Sequence, residues 1–372
     1  MDLELQKKAE DNIAFSSSVA ADIWHPRKGK KAYEWWYFDA LSDDGREAIV
    51  ITFLDNFIYS PRYNRPDGTE AELPERTSDN GVAAGQSRFP ALAFTCFRDG
   101  RPLYRTTLEF PENAFDADEN EPYVRIGHNS FTYRLAPYGA GYHIQIDAPM
   151  SAGRRIRANF EWLVIEADLR DGKKYERPPA HAWNMVAPRC DVTGKVAICD
   201  RKGIDKDVFQ FRGTGYHDHK LDNRWLAKTV HDWHWGRAHF ADTTAVFYRF
   251  RETGEDRAST KLLIVHNSEM TERNVQFDEQ NYVRNKFGIR YPTRLRLVSD
   301  DNVRLTVKPL TTIDSNFFYL RFLSEMSLTL QDGLIHQTTG ITEFLMPKAL
   351  KYRWLTWLTD IRTGKNGRGP RI

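Results

Sequence analysis

Residues 33–58 read YEWWYFDALSDDGREAIVITFLDNFI, and this stretch decides the fold class. It holds two runs rich in aromatic and β-branched side chains, Tyr33–Ala40 and Ala48–Ile58. Between them lies Ser42–Gly45, a short polar sequence of the kind found in turns. Runs of this length and composition on either side of a turn are typical of β-strands. The segment therefore predicts two strands joined by a turn.

The same succession of strand-like runs and turns continues through most of the chain. Further runs of this kind are Ala91–Phe97, Leu103–Phe110, Tyr142–Ala148, Ile156–Ala167, Val208–Arg212, Thr244–Arg251, Lys261–His266, Arg294–Val298, Val303–Lys308 and Phe318–Thr329. Many strands with few helical stretches favour a β-sandwich or barrel over alternating strand–helix units. A chain of 372 residues is long enough for two domains. We predict an all-β protein with β-domains at residues 1–190 and 191–372, divided just after the proline-containing segment Arg177–Ala187.

One segment near the C-terminus has helical periodicity. After Pro347, apolar side chains recur on one helical face, namely Leu350, Trp354, Trp357, Leu358 and Ile361. Basic residues surround this stripe. Basic residues beside tryptophans suit a helix that lies in a membrane interface, so residues 348–372 are a candidate for peripheral membrane contact. The alternative is an amphipathic helix that caps a barrel.

Composition argues against several classes of function. A net charge of +2 gives no general electrostatic attraction for nucleic acid. The three cysteines form no CxxC motif, which argues against a disulfide framework and a cysteine zinc site. No glycine-rich phosphate loop and no GxSxG nucleophile motif is present. The charged N-terminus lacks a signal-peptide pattern and no long apolar run occurs, so we expect a cytoplasmic protein.

Candidate chemistry concentrates in residues 213–240, which read GTGYHDHKLDNRWLAKTVHDWHWGRAHF. This segment holds five of the eleven histidines, together with tryptophans and the aspartates Asp218 and Asp232. Histidine exchanges protons near neutral pH, and tryptophan offers a strong aromatic face for a cation. Burial and neighbouring charge can move the pKa of an aspartate held among histidines in either direction. Asp218 and Asp232 are therefore the candidates for a proton donor.

Three other interpretations of this segment compete with a catalytic one, and the first is that its histidines are simply satisfied by backbone hydrogen bonds. Clustered histidines could bind a transition metal, since imidazole suits such ions. The helix-borne HExxH motif is absent and no cysteine lies nearby, so we predict no metal. The tryptophans could also be ordinary core residues of a β-domain.

Strand geometry assigns these side chains to faces, because successive residues of a strand point in opposite directions. His217 and His219 would face one side of their strand and Asp218 the other. In Tyr33–Ala40 one face would carry Glu34, Trp36 and Phe38, and the other Trp35, Tyr37 and Asp39. A carboxylate in so aromatic a strand needs a partner if it is buried. The strand is thus expected to be buried on both sides or to border a cavity.

The strings YEWWYFDA (33–40), GYHD (215–218) and WHWGRA (233–238) together resemble the carotenoid 1,2-hydratase (hydroxyneurosporene synthase) family, part of a wider AttH-like group. Trp24–Pro26 and Ala245–Tyr248 extend the similarity. One departure is Arg249, at a place where the hydratases tend to have an acidic residue. The resemblance implies two tandem lipocalin-like β-barrels, here followed by the C-terminal amphipathic helix.

The resemblance also implies an activity, the cofactor-independent addition of water to the terminal C1–C2 double bond of an acyclic carotenoid such as lycopene or neurosporene. The substrate would be a long apolar polyene, and the reaction would pass through a tertiary carbocation. The same architecture hosts other reactions. A cyclase or pericyclase acting on a polyene or polyketide, and a non-catalytic carrier of an apolar ligand, are the alternatives.

Roles for individual residues follow from this implied chemistry. Asp218 is the expected acid, His217 or His219 would tune it, and the remaining histidine would orient the water. His234 is a further catalytic candidate. The other expected site residues are Tyr248, Trp233 and Trp235 around the cation, and Trp35, Trp36, Tyr216 and Glu34 in contact with the substrate. No cofactor is expected.

Overall fold

The computed structural model describes residues 13–26, 28–65, 88–172, 179–352 and 355. Within these ranges the chain forms two β-sheets whose strands pair antiparallel, apart from one parallel pair. A single short α-helix, α1 (Leu226–Thr229), links the sheets in this described part, and 3₁₀ turns span Glu112–Ala114, Ser151–Gly153 and Pro347–Lys351. The all-β prediction and its pair of lipocalin-like units are confirmed.

The first sheet contains twelve strands. They are β1 (Ala14–Ser16), β2 (Tyr33–Ser42), β3 (Glu47–Leu54), β4 (Ala91–Arg98), β5 (Arg101–Glu109), β6 (Phe115–Ala117), β7 (Tyr123–Ile126), β8 (Asn129–Ala136), β9 (Gly139–Pro149), β10 (Arg155–Glu166), β11 (His181–Cys199) and β12 (Asp205–Asp222). Their order across the sheet is β5-β4-β3-β2-β12-β11-β10-β9-β8-β7-β6, and β1 pairs with β11 in parallel. β2, from the opening sequence, thus lies in the middle of the sheet and pairs with β3 and β12.

The second sheet contains nine strands. They are β13 (Val230–His239), β14 (Thr243–Glu252), β15 (Ser259–His266), β16 (Glu269–Arg273), β17 (Val275–Arg284), β18 (Arg290–Ser299), β19 (Arg304–Ser315), β20 (Tyr319–Thr329) and β21 (Ile335–Leu345). Their order is β16-β15-β14-β13-β21-β20-β19-β18-β17. The first strand after the linking helix, β13, is again an inner strand, between β14 and β21.

Each sheet encloses its own hydrophobic core, and a third core fills the space between them. Trp36 and Phe38 belong to the core of the first sheet, whereas Trp35 and Tyr37 belong to the core between the sheets. Nine of the ten residues of β2 are buried, because the strand has a core on each face. The predicted alternation of β2 and its burial on both sides are confirmed.

A buried ion pair joins the two sheets. Arg237 on β13 donates a hydrogen bond of 2.7 Å from Nε to Oδ1 of Asp39 on β2, and its Nη2 donates to the same oxygen. Both residues are fully buried. A buried charge is tolerated only when it is paired, so the two sheets depend on each other for this compensation.

The sheets divide the chain later than the predicted boundary. Residue 190 lies inside β11, which pairs with β12 along its length and with β10 over Arg189–Cys199. The first sheet ends at Asp222 and the second begins at Val230. We propose the domain boundary between these two residues, because every strand on either side then stays with its own sheet.

The predicted amphipathic helix lies almost wholly outside the described residues. Its first turn is present as the 3₁₀ turn Pro347–Lys351, in which Leu350 is buried in the core between the sheets. In the described part of the chain, no helix has the length and apolar character needed to cross a membrane. Membrane contact through residues 348–372 stays a prediction.

We predict that breaking the Asp39–Arg237 pair destabilises the protein more than removing both charges. The single variants Asp39→Asn and Arg237→Met each leave one buried charge unpaired, which costs about 3–5 kcal/mol. In the double variant neither charge remains, so its loss of unfolding free energy is smaller than the sum of the two single losses. Denaturant unfolding of the four proteins measures this coupling. Strictly additive losses would show that the two side chains do not stabilise each other.

Candidate active site

A cavity of about 340 Å³ lies between the two sheets. Strands of both sheets line it, together with the loops that follow β3, β17 and β19. Aromatic rings form much of its wall, namely Trp35, Tyr37, Phe57, Tyr59, Trp233, Trp235, Phe287 and Tyr319. The charged residues of the lining are Arg105, Asp218, Lys220, Lys286, Asp314, Arg321 and Glu343. The volume falls within the ~300–1,000 Å³ that is usual for small-molecule sites.

The cavity has a closed end and an open end. At the closed end, Asp218 and Lys220 of the central strand β12 are 1% and 3% exposed. At the other end, Arg105 on β5 and Asp314 on β19 form an ion pair of 3.2 Å with side chains 28% and 21% exposed. Lys286 near this end is exposed. Exposure of the lining therefore decreases from Arg105 and Asp314 to Asp218.

Asp218 is held at the closed end by two hydrogen bonds to one oxygen. Trp183 Nε1 and Tyr216 OH each donate to Oδ2 at 3.0 Å. Among the described residues, none donates a hydrogen bond to Oδ1. Burial raises the pKa of Asp218, and the nearby ammonium of Lys220 partly offsets this. A carboxyl group with a raised pKa is closer to the protonated state that a general acid needs.

Lys220 lies beside Asp218 inside a group of aromatic rings. Its Nζ is 3.8 Å from Oδ2 of Asp218 and 4.5 Å from the ring centre of Tyr248. Trp183, Trp233 and Trp235 surround the same ammonium at 5.5–5.9 Å. We call Lys220 with these four rings the lysine cage. Burial lowers the pKa of Lys220, against the opposing effect of Asp218.

The facing sheet presents a second polar group to the cavity. Glu343 Oε1 on β21 accepts hydrogen bonds from Arg321 Nε at 3.0 Å, Arg321 Nη2 at 2.8 Å and Tyr319 OH at 2.5 Å. The Arg321 guanidinium also lies over the rings of Tyr37 and Tyr319. The carboxyl group of Glu343 is thus held in place by Arg321 and Tyr319 on the wall supplied by the second sheet.

The histidines of β12 point away from the cavity into a separate buried network. His217 Nε2 is 2.9 Å from Asp22 Oδ2, and His219 Nδ1 is 3.2 Å from Asp22 Oδ1. His219 Nε2 and His25 Nδ1 each lie 2.8 Å from Glu34 Oε1. We call this group the histidine network. It lies on the same face of the first sheet as Trp36 of β2, whose ring stacks on His219 at 4.7 Å.

Burial alone would lower the pKa of His219, but its hydrogen bonds to Asp22 and Glu34 outweigh burial and raise the pKa to about 9. The pKa of Asp22 and that of Glu34 are lowered, since their cationic partners outweigh the effect of burial. For Asp22 these partners are His217 and His219. For Glu34 the largest contribution comes from Lys28, whose ammonium also contacts Asp55.

The structure brings together part of the predicted site. Four of the predicted residues line the cavity: Trp35, Asp218, Trp233 and Trp235. Tyr216 and Tyr248 lie one layer behind and contact Asp218 and Lys220. The expected cavity roles of His217, His219, Glu34 and Trp36 do not fit the structure, because strand alternation places all four on the opposite face of the first sheet.

Two further candidates lie elsewhere. His234 points into the second sheet, where its Nε2 is 2.8 Å from Glu279 Oε1, so it does not reach the cavity. Asp232 accepts hydrogen bonds from Arg249 at 2.7 Å and from Arg251. Arg249, the departure from the family pattern, is therefore occupied by an ion pair away from the cavity.

Several cavity residues escaped the analysis of the sequence. Lys220 and Tyr37 could have been found, because each lies two positions along a strand from a predicted cavity residue, Asp218 and Trp35 respectively, on the same face. Arg321 and Glu343 carry no comparable sequence signal. They meet only because β20 and β21 pair in register.

Three residues of the histidine network could converge on a metal ion. Ligand atoms of His25, Glu34 and His219 all lie within 4.8 Å of one another. However, Glu34 already accepts hydrogen bonds from both imidazoles and contacts Lys28. The pKa of His219 is raised to about 9, so its imidazole would have to lose a proton before it could bind a metal at neutral pH. The group fits a network of hydrogen-bonded ions better than a metal centre.

Comparison with known proteins adds independent findings. A family model described as carotenoid hydratase CrtC matches residues 163–368. The chain is 27% identical to hydroxyneurosporene dehydrogenase of Chlorobaculum tepidum over 357 residues, covering 93% of this chain and 90% of that protein. It is 23% identical to acyclic carotenoid 1,2-hydratase of Rubrivivax gelatinosus over 244 residues, covering 63% of this chain and 52% of that protein.

Among solved structures, CghA with Sch210972 matches this fold with a TM-score of 0.58. The match covers 90% of this chain and 97% of CghA, at 14% sequence identity. At this identity the similarity concerns the fold and carries no information about the reaction.

We predict that stability decreases between about pH 6.5 and pH 9. Because folding raises the pKa of His219 from 6.5 to about 9, its contribution is complete below pH 6.5 and disappears as the pH rises through 9. The size of the effect is about 3 kcal/mol. Thermal unfolding across this range should show a falling Tm for the wild-type protein and a much flatter profile for His219→Gln. The exposed His266 provides the control variant, His266→Gln, which should retain the wild-type slope. If the Tm of His219→Gln falls with pH as steeply as that of the wild-type protein, His219 is not the source of the pH dependence.

Proposed function

Because the chain belongs to the carotenoid hydratase CrtC family, we propose that it adds water to the terminal C1–C2 double bond of an acyclic carotenoid. It is a hydro-lyase. The observation that supports acid-catalysed hydration is the position of Asp218, a buried carboxyl group at the closed end of an aromatic cavity. The reaction joins an alkene and water without oxidation or reduction, so its balance requires no redox cofactor.

The shape of the cavity supports binding of one end of a long polyene. Its closed end is surrounded by the rings of Trp35, Trp233 and Trp235. Its open end lies by the Arg105–Asp314 ion pair, where the rest of the polyene would leave the protein. A cavity of about 340 Å³ holds the terminal part of such a molecule and not its full length. The terminal double bond then lies next to Asp218.

The first chemical step is proton transfer from Asp218 to C2. An isolated alkene is a weak base, so the donor must be a desolvated acid, and burial raises the pKa of Asp218 accordingly. Protonation at C2 places a tertiary cation at C1. Aromatic faces of Trp233 and Trp235 stabilise this cation, by about 0.5–2 kcal/mol for each well-placed ring.

The second step is attack of water on C1. Tyr37 OH and the Glu343–Arg321 pair lie on the cavity wall and supply polar groups that can hold this water. Loss of a proton from the attached water then gives the tertiary alcohol. The histidine network takes no part in this step, because it lies behind β12.

We predict that Asp218→Asn loses about 10²–10⁴-fold in kcat, the usual contribution of one general acid. The matched control is Asp232→Asn, which removes the other aspartate of the same segment but lies outside the cavity and should retain activity. The assay incubates purified protein with lycopene or neurosporene in D₂O and analyses products by chromatography and mass spectrometry. The wild-type product should carry one non-exchangeable deuterium at C2.

The same assay separates hydration from the activity in the name of the Chlorobaculum tepidum relative. A dehydrogenase would extend the conjugated system, shift the absorption to longer wavelength and incorporate no deuterium at C2. That outcome, or full activity of Asp218→Asn, would contradict acid-catalysed hydration. Bound but unchanged polyene would favour a carrier.

We further propose that residues 348–372 contact the membrane that holds the substrate. Truncation after Tyr352 removes the basic segment but keeps the buried Leu350. The full chain should float with vesicles that contain anionic lipid, and the truncated chain should stay in the soluble fraction. Equal flotation of both proteins would assign membrane binding to another surface.

A further inference from the structure

The lysine cage places a resident cation where the proposed reaction forms its carbocation, and this inference rests on that proposed function. Lys220 is 3% exposed and lies 4.5–5.9 Å from four aromatic ring centres. Its Nζ reaches the cavity next to Asp218. A permanently charged ammonium there would repel a developing carbocation, and repulsion is strong in a site with low dielectric.

We propose that Lys220 acts as the base that accepts the proton of the added water and returns it to Asp218. In the reactive form, Asp218 carries its proton and Lys220 is a neutral amine. Bound polyene excludes water from the closed end, and a buried pair of groups then favours this neutral form over two separate charges.

The cycle balances without another reactant. Asp218 transfers its proton to C2, which leaves an aspartate anion and a cation at C1. Water oxygen then forms a bond to C1 while its proton moves to the lone pair of Lys220 Nζ. The product is the tertiary alcohol, and the residues are now an ion pair. Transfer of one proton from Nζ to Oδ2, which lie 3.8 Å apart, restores the starting state.

Other groups on the described cavity wall are poorer bases for this step. Oε1 of Glu343 already accepts three hydrogen bonds, from Arg321 and Tyr319. Asp314 is paired with Arg105 at the open end. The imidazoles of His217 and His219 lie on the opposite face of the sheet. Lys220 is the group that is both next to the acid and inside the aromatic wall.

Burial brings the proton affinities of the two partners closer together. The pKa of Asp218 is raised and that of Lys220 is lowered, in each case mainly by loss of solvent. Proton exchange between the two groups therefore costs less than it would in water. The 3.8 Å separation is longer than a hydrogen bond, so the pair is not fixed in the charged form.

Two substitutions of Lys220 distinguish a role as a base from a role as a structural cation. Lys220→Arg keeps a positive charge in the cage but cannot release a proton, and Lys220→Met keeps the approximate length without charge. Both should lose at least about 10²-fold in kcat, as expected for removal of a general base. The control Lys261→Met removes another partly buried lysine, paired with Glu272 outside the cavity, and should retain activity.

Isotope exchange tests the order of the steps. In D₂O, a Lys220→Met enzyme still protonates the alkene, but the cation returns to alkene because water addition is slow. Recovered substrate should therefore carry deuterium at C2. Asp218→Asn should give no such exchange, because no cation forms.

Chemical rescue provides the second measurement. In Lys220→Ala, ethylamine should restore hydration at least about tenfold, and it should leave Asp218→Asn inactive. Thermal unfolding establishes that each variant is folded before its activity is compared. Wild-type kcat in Lys220→Arg, or lack of rescue and of exchange in folded Lys220 variants, would overturn the role of Lys220. Absence of hydration by the wild-type enzyme would instead overturn the proposed function.

Discussion

Strands β2 and β12 separate two buried regions, and successive side chains on them point alternately into one region or the other. Their pairing register places Trp35 beside Lys220 and Tyr37 beside Asp218 on the cavity side. On the other side, Trp36 lies beside His219 and Phe38 beside His217. The residues of one short segment are thus sorted into two groups on opposite faces of the sheet. A shift of one residue in this register would exchange the groups and place the histidines in the cavity.

The two groups differ in how well their charges are compensated. In the histidine network, ring nitrogens lie 2.8–3.2 Å from carboxylate oxygens, and the carboxylates of Asp22 and Glu34 raise the pKa of His219. Such bonds fix protons in place and favour stability. In the cavity, Asp218 and Lys220 are 3.8 Å apart, and aromatic rings replace hydrogen-bond partners around the ammonium. This looser arrangement suits the proton exchange that we propose for the pair. The Asp39–Arg237 pair holds the sheets together near the cavity without exposing either charge to it.

The wall of the cavity combines surfaces from both sheets, so neither sheet alone forms the site. The first sheet supplies the acid and the lysine, and the second supplies Trp233, Trp235 and the Glu343–Arg321 group. Because the site combines residues of both sheets, the fold that this chain shares with CghA at 14% identity does not determine which reaction takes place. Substitutions at the facing positions of β12, β13, β20 and β21 change the chemistry while each sheet keeps its own core.

The sequence by itself determined the all-β class, the two-faced strand Tyr33–Ala40 and the segment that contains Asp218, because local periodicity and turn residues report on these features directly. It also contained the information that His217 and His219 face away from Asp218, since alternation depends only on spacing. The sequence could not determine which face borders the cavity, because that depends on how two distant sheets pack. The sequence also could not determine three other features: the pairing of Arg321 with Glu343, the enclosure of Lys220 by rings from three strands, and the division of the chain after Asp222. They arise from contacts between residues far apart in the chain, which only the tertiary structure brings together.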